Sequence, residues 1–246
     1  MIAAIIQART GSTRLPGKVM KNLCGKTVLA HDIERVSQSK LIDKIIIATT
    51  TLKADDVIVD EAKKCGVDVF RGSEDDVLSR YYLAANEVGA NTIVRITSDC
   101  PLIDPIILDN IISYYLNQGY EIATNASSDL SKRTFPRGLD VEVFSFFMLE
   151  KAYTNAKEKY QREHVTPYIY ENAKAIGYYL NDKDYSYYRW TLDTDEDWEL
   201  ISKIYEKLYH GKHDFYLPEI LGVMKQNPSF YDINKTVEQK KLNDSK

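Results

Sequence analysis

Over its first hundred residues the chain switches repeatedly between two hydrophobic periods, and this restricts its possible folds more than any other feature. Ile2–Gln7 is a short, continuous apolar run, the pattern of a strand buried on both faces. Val28, Leu29, Ile33 and Val36 then follow at helical spacing. Residues 44–48 predict a second buried strand, and residues 54–65 a helix ended by Gly66. Residues 67–70 predict a third strand. Residues 75–88 predict a helix with Val77, Leu78, Tyr81, Tyr82 and Ala85 on one face, closed by Gly89. Thr92–Thr97 reads as a fourth strand. Strands that alternate with helices pair in parallel through helical crossovers, which predicts an α/β fold with helices on both faces of the sheet.

The pattern loosens after Pro101. Residues 105–117 predict a helix with proline in its first turn, and residues 121–124 a strand. Residues 127–138 are polar, carry Lys132, Arg133 and Arg137, and read as a mobile loop beside a ligand. Strands are expected over 139–144, 175–180 and 185–190, and helices over 162–172, 196–209 and Leu217–Gln226. A single domain over 1–234 with a frayed tail over 235–246 is expected. His210 and His213 flank Gly211-Lys212 and read as a surface turn rather than a metal pair.

Composition narrows the partners. Net charge is -4, so the whole surface does not suit nucleic acid. The first apolar run is too short for a signal peptide or membrane span, and no later run is longer. The three cysteines, Cys24, Cys65 and Cys100, are far apart and odd in number, as expected for reduced thiols in a cytoplasm.

Against this acidic background the first 31 residues hold five Lys and Arg and no Asp or Glu. Three of those cations, Arg9, Arg14 and Lys18, lie in Gln7-Ala-Arg-Thr-Gly-Ser-Thr-Arg-Leu-Pro-Gly-Lys18. This segment leaves the first strand at its carboxyl end, where open α/β sheets bind ligands. A polyphosphate fits that local field. The segment is not a P-loop: five residues separate Gly11 from Gly17, and Val19 follows Lys18 where a Ser or Thr is needed. A GxGxxG dinucleotide fingerprint is absent as well.

Carboxylates gather in two places. Asp99 lies just past the fourth strand, and Asp104, before Pro105, reads as a helix N-cap. Trp190-Thr-Leu-Asp193-Thr-Asp195-Glu-Asp197 delivers Asp193 from a strand-like segment. Asp195 reads as the cap of the next helix, and Asp197 as a charge suited to its first turn. Asp99 and Asp193 would give Mg²⁺ two protein carboxylates, with phosphate oxygens completing its shell.

Three motifs in order, Gln7-Ala-Arg through Leu-Pro-Gly-Lys18, Ser98-Asp-Cys-Pro-Leu102 and Leu192-Asp-Thr194 with the later Asp, make the sequence resemble the SpsF-like cytidylyltransferases of surface-polysaccharide biosynthesis. These are similar to the CMP-Kdo and CMP-sialic acid synthetases. The resemblance implies a Rossmann-like nucleotide-diphospho-sugar transferase sheet, mostly parallel, with a smaller acceptor and dimerisation lobe at about 125–180. It implies CTP binding by Gln7, Ala8, Arg9, Gly11, Ser12, Arg14 and Lys18, with base and ribose contacts near Arg71, Ser73, Thr97 and Ser98. It implies Mg²⁺ on Asp99 and Asp193, Arg137 and His164 near a small acidic acceptor, and a homodimer. Lys18, Arg14 and Asp99 are the expected catalytic residues. Two departures stand out: Gln7 replaces the Pro usual in sugar-acid synthetases, and Thr97 the Gln of Kdo enzymes.

Two other readings share this sheet, beside a nucleotidyltransferase of the same chemistry that takes UTP or GTP. A nucleotide-sugar glycosyltransferase could use Asp193-Thr-Asp195 as a DxD metal motif, and a non-catalytic nucleotide sensor could keep the loop alone. Pyrophosphate release separates the first from a nucleotidyltransferase. The alignment of Lys18, Asp99 and Asp193 argues against the second.

Overall fold

Ile2–Gln7 forms β1, in which Ala3, Ala4, Ile5 and Ile6 are fully buried. A small antiparallel hairpin of β2 (Asn22–Leu23) and β3 (Lys26–Thr27) leads into α1 (Val28–Val36). The computed structural model, which describes residues 1–127 and 129–239, continues with β4 (Lys44–Thr50), α2 (Asp56–Lys64), β5 (Asp68–Gly72), α3 (Val77–Val88) and β6 (Thr92–Thr97). Next come α4 (Pro105–Gln118), β7 (Ile122–Thr124), β8 (Glu142–Ser145), α5 (Phe146–Asn155), α6 (Lys159–His164), α7 (Pro167–Asn172) and β9 (Ile176–Tyr178). Helices α8 (Asp195–Leu208), α9 (Leu217–Gln226) and α10 (Ser229–Asn234) follow.

The main sheet runs β5-β4-β1-β6-β8-β7-β9. All its pairings are parallel except those of β8, which runs against both β6 and β7. Successive β1 side chains alternate between two cores. Ala4 and Ile6 pack with α1, α4 and α8, while Ala3 and Ile5 pack with α3 and α5. Full burial of an isoleucine such as Ile5 or Ile6 stabilises by about 1.5–3 kcal/mol, which is why these strands read as unbroken apolar runs. The expected α/β class and mostly parallel sheet are therefore present.

Several local expectations are corrected. The helix predicted through Pro167 is two helices, because Val165 turns to φ 71 between α6 and α7 and Pro167 starts the second. Residues 185–190 form no strand; a lone parallel bridge joins Arg189 to Arg137. Thr194, not Asp195, caps α8, accepting from the Asp197 N–H at 3.3 Å. Asp104 does cap α4, accepting from the Ile106 and Ile107 N–H groups. His213 is buried rather than in a surface turn, with its Nε2 2.8 Å from His31 Nδ1. Of the tail expected to fray, residues 240–246 lie outside the described residues, while Glu238 and Gln239 reach the site below.

Candidate active site

β1 and β6 lie side by side with Gln7 opposite Thr97, so the segments leaving their carboxyl ends are neighbours. The Ser98 N–H donates to the Gln7 carbonyl at 3.1 Å. The segment after β1 is pinned at Thr10, which donates its N–H (2.8 Å) and its hydroxyl (2.7 Å) to the Asp55 carboxylate. Burial opposes the Asp55 charge, but these bonds and one from Thr50 hold its pKa below the usual range. Gly17 closes the turn at φ 66, a left-handed conformation that a side chain would strain, and hands the chain to a short 3₁₀ turn carrying Lys18.

Lys18 Nζ lies 2.8 Å from Asp99 and 2.7 Å from Asp193, joining the two expected metal carboxylates through one ammonium. Arg14 Nη2 reaches Asp193 at 3.0 Å. Burial works against both charges of the Lys18–Asp99 pair. Their mutual attraction wins, raising the Lys18 pKa and drawing that of Asp99 down to about 2.

A second layer fixes Asp193. Arg189 Nη2 meets it at 3.0 Å, and the same guanidinium grips Asp197 with two bonds of 2.9 Å. Asp197 is fully buried, and it also accepts from the Asp193 N–H (2.9 Å) and from Asn234 (2.8 Å). Arg189 Nη1 donates to Gln239 at 2.5 Å, and Arg14 Nη1 to the Glu238 carbonyl at 3.3 Å. Sequence reading treated Asp197 as a helix-terminus charge and missed Arg189 and Asn234, because these partners come together only in the folded chain.

Arg14, Lys18, Asp99, Asp193 and Gln239 of this set line a cleft of about 570 Å³. Ser12, Arg14, Lys18, Asp99 and Asp193 lie on one stretch of its wall. Ala8, Arg9, Glu74, Val77 and Arg80 line another, where Arg9 pairs with Glu74 at 3.5 Å. Gln7, Thr97 and Ser98 also face the cleft. Arg71 and Ser73 do not: Arg71 donates to the Thr50 and Leu52 carbonyls and pairs with Asp56, while Ser73 accepts from the Asp76 N–H. Nor does Gly11, whose added Cβ would stand 3.7 Å from Glu74.

The remaining wall carries Arg95, Arg137, Asp140, Glu142, Lys159 and His164. Glu142 is fully engaged by Arg95 (2.5 Å), Thr166 (3.0 Å) and Tyr170 (2.7 Å). Arg95 also donates to the Gln7 amide oxygen at 3.2 Å. Asp140 takes two bonds of 2.8 Å from Arg133. The Arg137 backbone is clamped, its N–H donating to Tyr188 O and its carbonyl accepting from Trp190. Gly138, at φ 97, lies so close to Trp190 that a Cβ would come within 2.5 Å of its carbonyl. The Arg137 guanidinium has no hydrogen-bond or ion-pair partner among the described residues, and burial lowers its pKa.

Comparison with known proteins decides among the nucleotide-binding readings of this cleft. Residues 3–234 match the family model described as cytidylyltransferase. The chain belongs to the cytidylyltransferase family. It is 34% identical to the spore coat polysaccharide biosynthesis protein SpsF of Bacillus subtilis, over 92% of this chain and 95% of the relative. A cytidylyltransferase structure from Leptospira borgpetersenii superposes with TM-score 0.86 at 39% identity, covering 98% of each chain. The same fold recurs at 15% identity in a CMP-2-keto-3-deoxy-manno-octonic acid synthetase solved with CTP. There the TM-score is 0.62, over 84% of this chain and 98% of the other. The protein is thus a CTP-dependent nucleotidyltransferase with the expected family fold. The glycosyltransferase reading loses its motif, since Asp195 is an exposed first-turn residue of α8 and does not line the cleft. Among the described residues no helix is long and apolar enough to cross a membrane.

Proposed function

We propose that this cytidylyltransferase moves the CMP group of CTP onto an oxygen of a small acidic acceptor, releasing pyrophosphate, in surface-polysaccharide synthesis. The observation that carries the reading is the Asp99–Lys18–Asp193 centre, joined by Arg14, in a cleft that the unpartnered Arg137 also lines. The triphosphate lies along residues 9–18. The acceptor oxygen attacks the α-phosphorus, the bond to the bridging oxygen breaks, and pyrophosphate leaves carrying its charge. Arg14 and Lys18 take up that charge, so catalysis comes from positioning and charge stabilisation rather than from a covalent intermediate.

Asp99 and Asp193 suit Mg²⁺: both are oxygen donors, and both already face one shared cation at 2.7–2.8 Å. Bound there, the ion would supply charge neutralisation at the α-phosphate oxygens. Arg189, tied to Asp197, holds the Asp193 carboxylate in place whether or not the site is loaded. Arg137 and Lys159 give the acceptor's anionic group its partners, and His164 lines the same wall. A homodimer and a cytoplasmic location complete the reading.

The test is pyrophosphate release from CTP with a panel of keto-acid sugars, sugar phosphates and small phosphorylated acids, with and without Mg²⁺. Release that needs both an anionic acceptor and the metal supports the reading. CTP binding without release for any member of the panel, or release from neutral sugars alone, overturns it.

A further inference from the structure

Gln239 lines the cleft together with Arg14, Lys18 and Asp193, although it lies beyond residues 3–234, the part of the chain that matches the family model. The segment that carries it, residues 235–239, has a fixed root. Asn234, at the end of α10, is only 3% exposed. Its amide donates to the Arg189 carbonyl at 2.9 Å and to the Asp197 carboxylate at 2.8 Å. The chain then turns, with the Val237 N–H donating to the Asn234 carbonyl at 3.0 Å. Glu238 and Gln239 follow and meet two guanidinium groups. The Glu238 carbonyl accepts from Arg14 Nη1 at 3.3 Å, and the Gln239 amide oxygen accepts from Arg189 Nη1 at 2.5 Å.

Those two arginines share one acceptor atom. Asp193 Oδ2 receives Arg14 Nη2 and Arg189 Nη2, each at 3.0 Å, while Oδ1 receives Lys18 at 2.7 Å. The two oxygens of Asp193 are thus divided: Oδ1 meets the ammonium shared with Asp99, and Oδ2 is held by arginine. Arg189 in turn donates from Nε and Nη2 to Asp197. Gln239 is the acceptor for its third nitrogen, Nη1. A guanidinium is planar and rigid, so fixing all three nitrogens fixes the direction in which Nη2 meets Asp193. Arg189 is only 7% exposed, so little water is at hand to replace a lost acceptor.

We infer that residues 235–239 form a strap that orients the Asp193 carboxylate, with Gln239 the positioning residue that acts on it through Arg189. The strap keeps Arg189 Nη2 on Oδ2 and so leaves Oδ1 turned to the cation it shares with Asp99. Groups that orient a metal ligand in this way are worth about 10–100-fold in metal affinity or activity, and Gln239, one bond further from the ligand, belongs at the low end. This inference rests on Asp193 holding the divalent cation of the proposed reaction.

The test is the calorimetric affinity for CTP with and without Mn²⁺, measured for the wild type, Gln239→Met and Gln239→Glu. The readout is the factor by which the metal tightens CTP. Gln239→Met keeps the side-chain length and removes the acceptor; it should lower that factor about 10-fold while affinity for metal-free CTP stays near the wild-type value. Gln239→Glu keeps an acceptor for Arg189 and should retain most of the factor. Truncation after Thr236 removes both arginine contacts and should lose at least as much as Gln239→Met; if the truncated chain does not fold, the two point variants still decide. A full metal effect in Gln239→Met, or an equal loss in Gln239→Glu, would overturn the inference. So would a parallel loss of affinity for metal-free CTP, the mark of a general disturbance. A wild type whose CTP affinity ignores Mn²⁺ would break the metal reading itself, and the inference with it.

Discussion

Around the ends of β1 and β6 each charged group already has a partner. Lys18 holds Asp99 and Asp193, Arg14 holds Asp193, and Arg189 holds Asp193 and Asp197. In the same cleft Arg137 stands without one, although its backbone is clamped on both sides. The first region is organised by ion pairs among its own side chains, and a ligand must compete with them. Arg137, although its wall also holds the Arg95–Glu142 and Arg133–Asp140 pairs, is itself fixed by backbone contacts and keeps its cation available. The contrast matches the tasks proposed for each: one must hold a triphosphate in a single geometry, the other must receive a separate acceptor that comes and goes.

The strongest way to break this contrast is Asp197→Ala. Removing Asp197 strips Arg189 of its fully buried partner and leaves it only Asp193, and a stability loss of about 3–5 kcal/mol is expected, measured by denaturant unfolding. A loss below about 1 kcal/mol would mean that the paired region is not held together by these charges. Next comes Lys18→Ala, expected to keep the fold and to lower turnover by about 10²-fold or more. An unaltered rate would remove Lys18 from the chemistry. Arg137→Ala sharpens the other side: acceptor KM should rise about 10-fold or more while CTP affinity stays within a few-fold. An equal loss for CTP would erase the division between the two regions.

The smallest effect is that of pH. The folded pKa of Asp99 is drawn down to about 2, so the stability it brings is complete above the unfolded value of about 3.9 and is lost as pH falls toward 2. That of Lys18 is raised, so its contribution is complete below the unfolded value of about 10.4 and is lost only as pH rises through the folded value. The stability difference between the wild type and Asp99→Asn should therefore be flat from about pH 5 to 9 and narrow in acid. A change near pH 7 would show that the pair is not the one described.

The paired region was also the more legible in sequence. Strand–helix alternation put the Lys18 segment and Asp99 each past the carboxyl end of a strand, and the parallel register of Gln7 with Thr97 makes those strands neighbours. Asp193 joined them through its motif. The residues that orient Asp193 left no such trace. Arg189 and Asn234 are 45 positions apart, and the bond between them appears only after α8 and α10 have packed. Strand alternation over residues 139–144 could not say that β8 would run antiparallel, since period carries no direction. Helix α5 was missed although its signal was present: Ser145 accepts from the Met148 N–H as an N-cap, before Met148, Leu149 and Ala152 at helical spacing.

The shared ammonium between Asp99 and Asp193 makes the resting site its own counter-ion reservoir. Entry is then an exchange of pairings rather than an addition of charge. A nucleotide that brings anionic oxygens for Lys18 and Arg14, together with a divalent cation for the two carboxylates, can swap one neutral set for another. A ligand of a single sign, such as free pyrophosphate or a bare metal ion, can release only half of the set and strands the rest. On the proposed reading, selectivity for the complete metal–nucleotide complex would in this sense be a matter of stoichiometry, enforced before any acceptor is read.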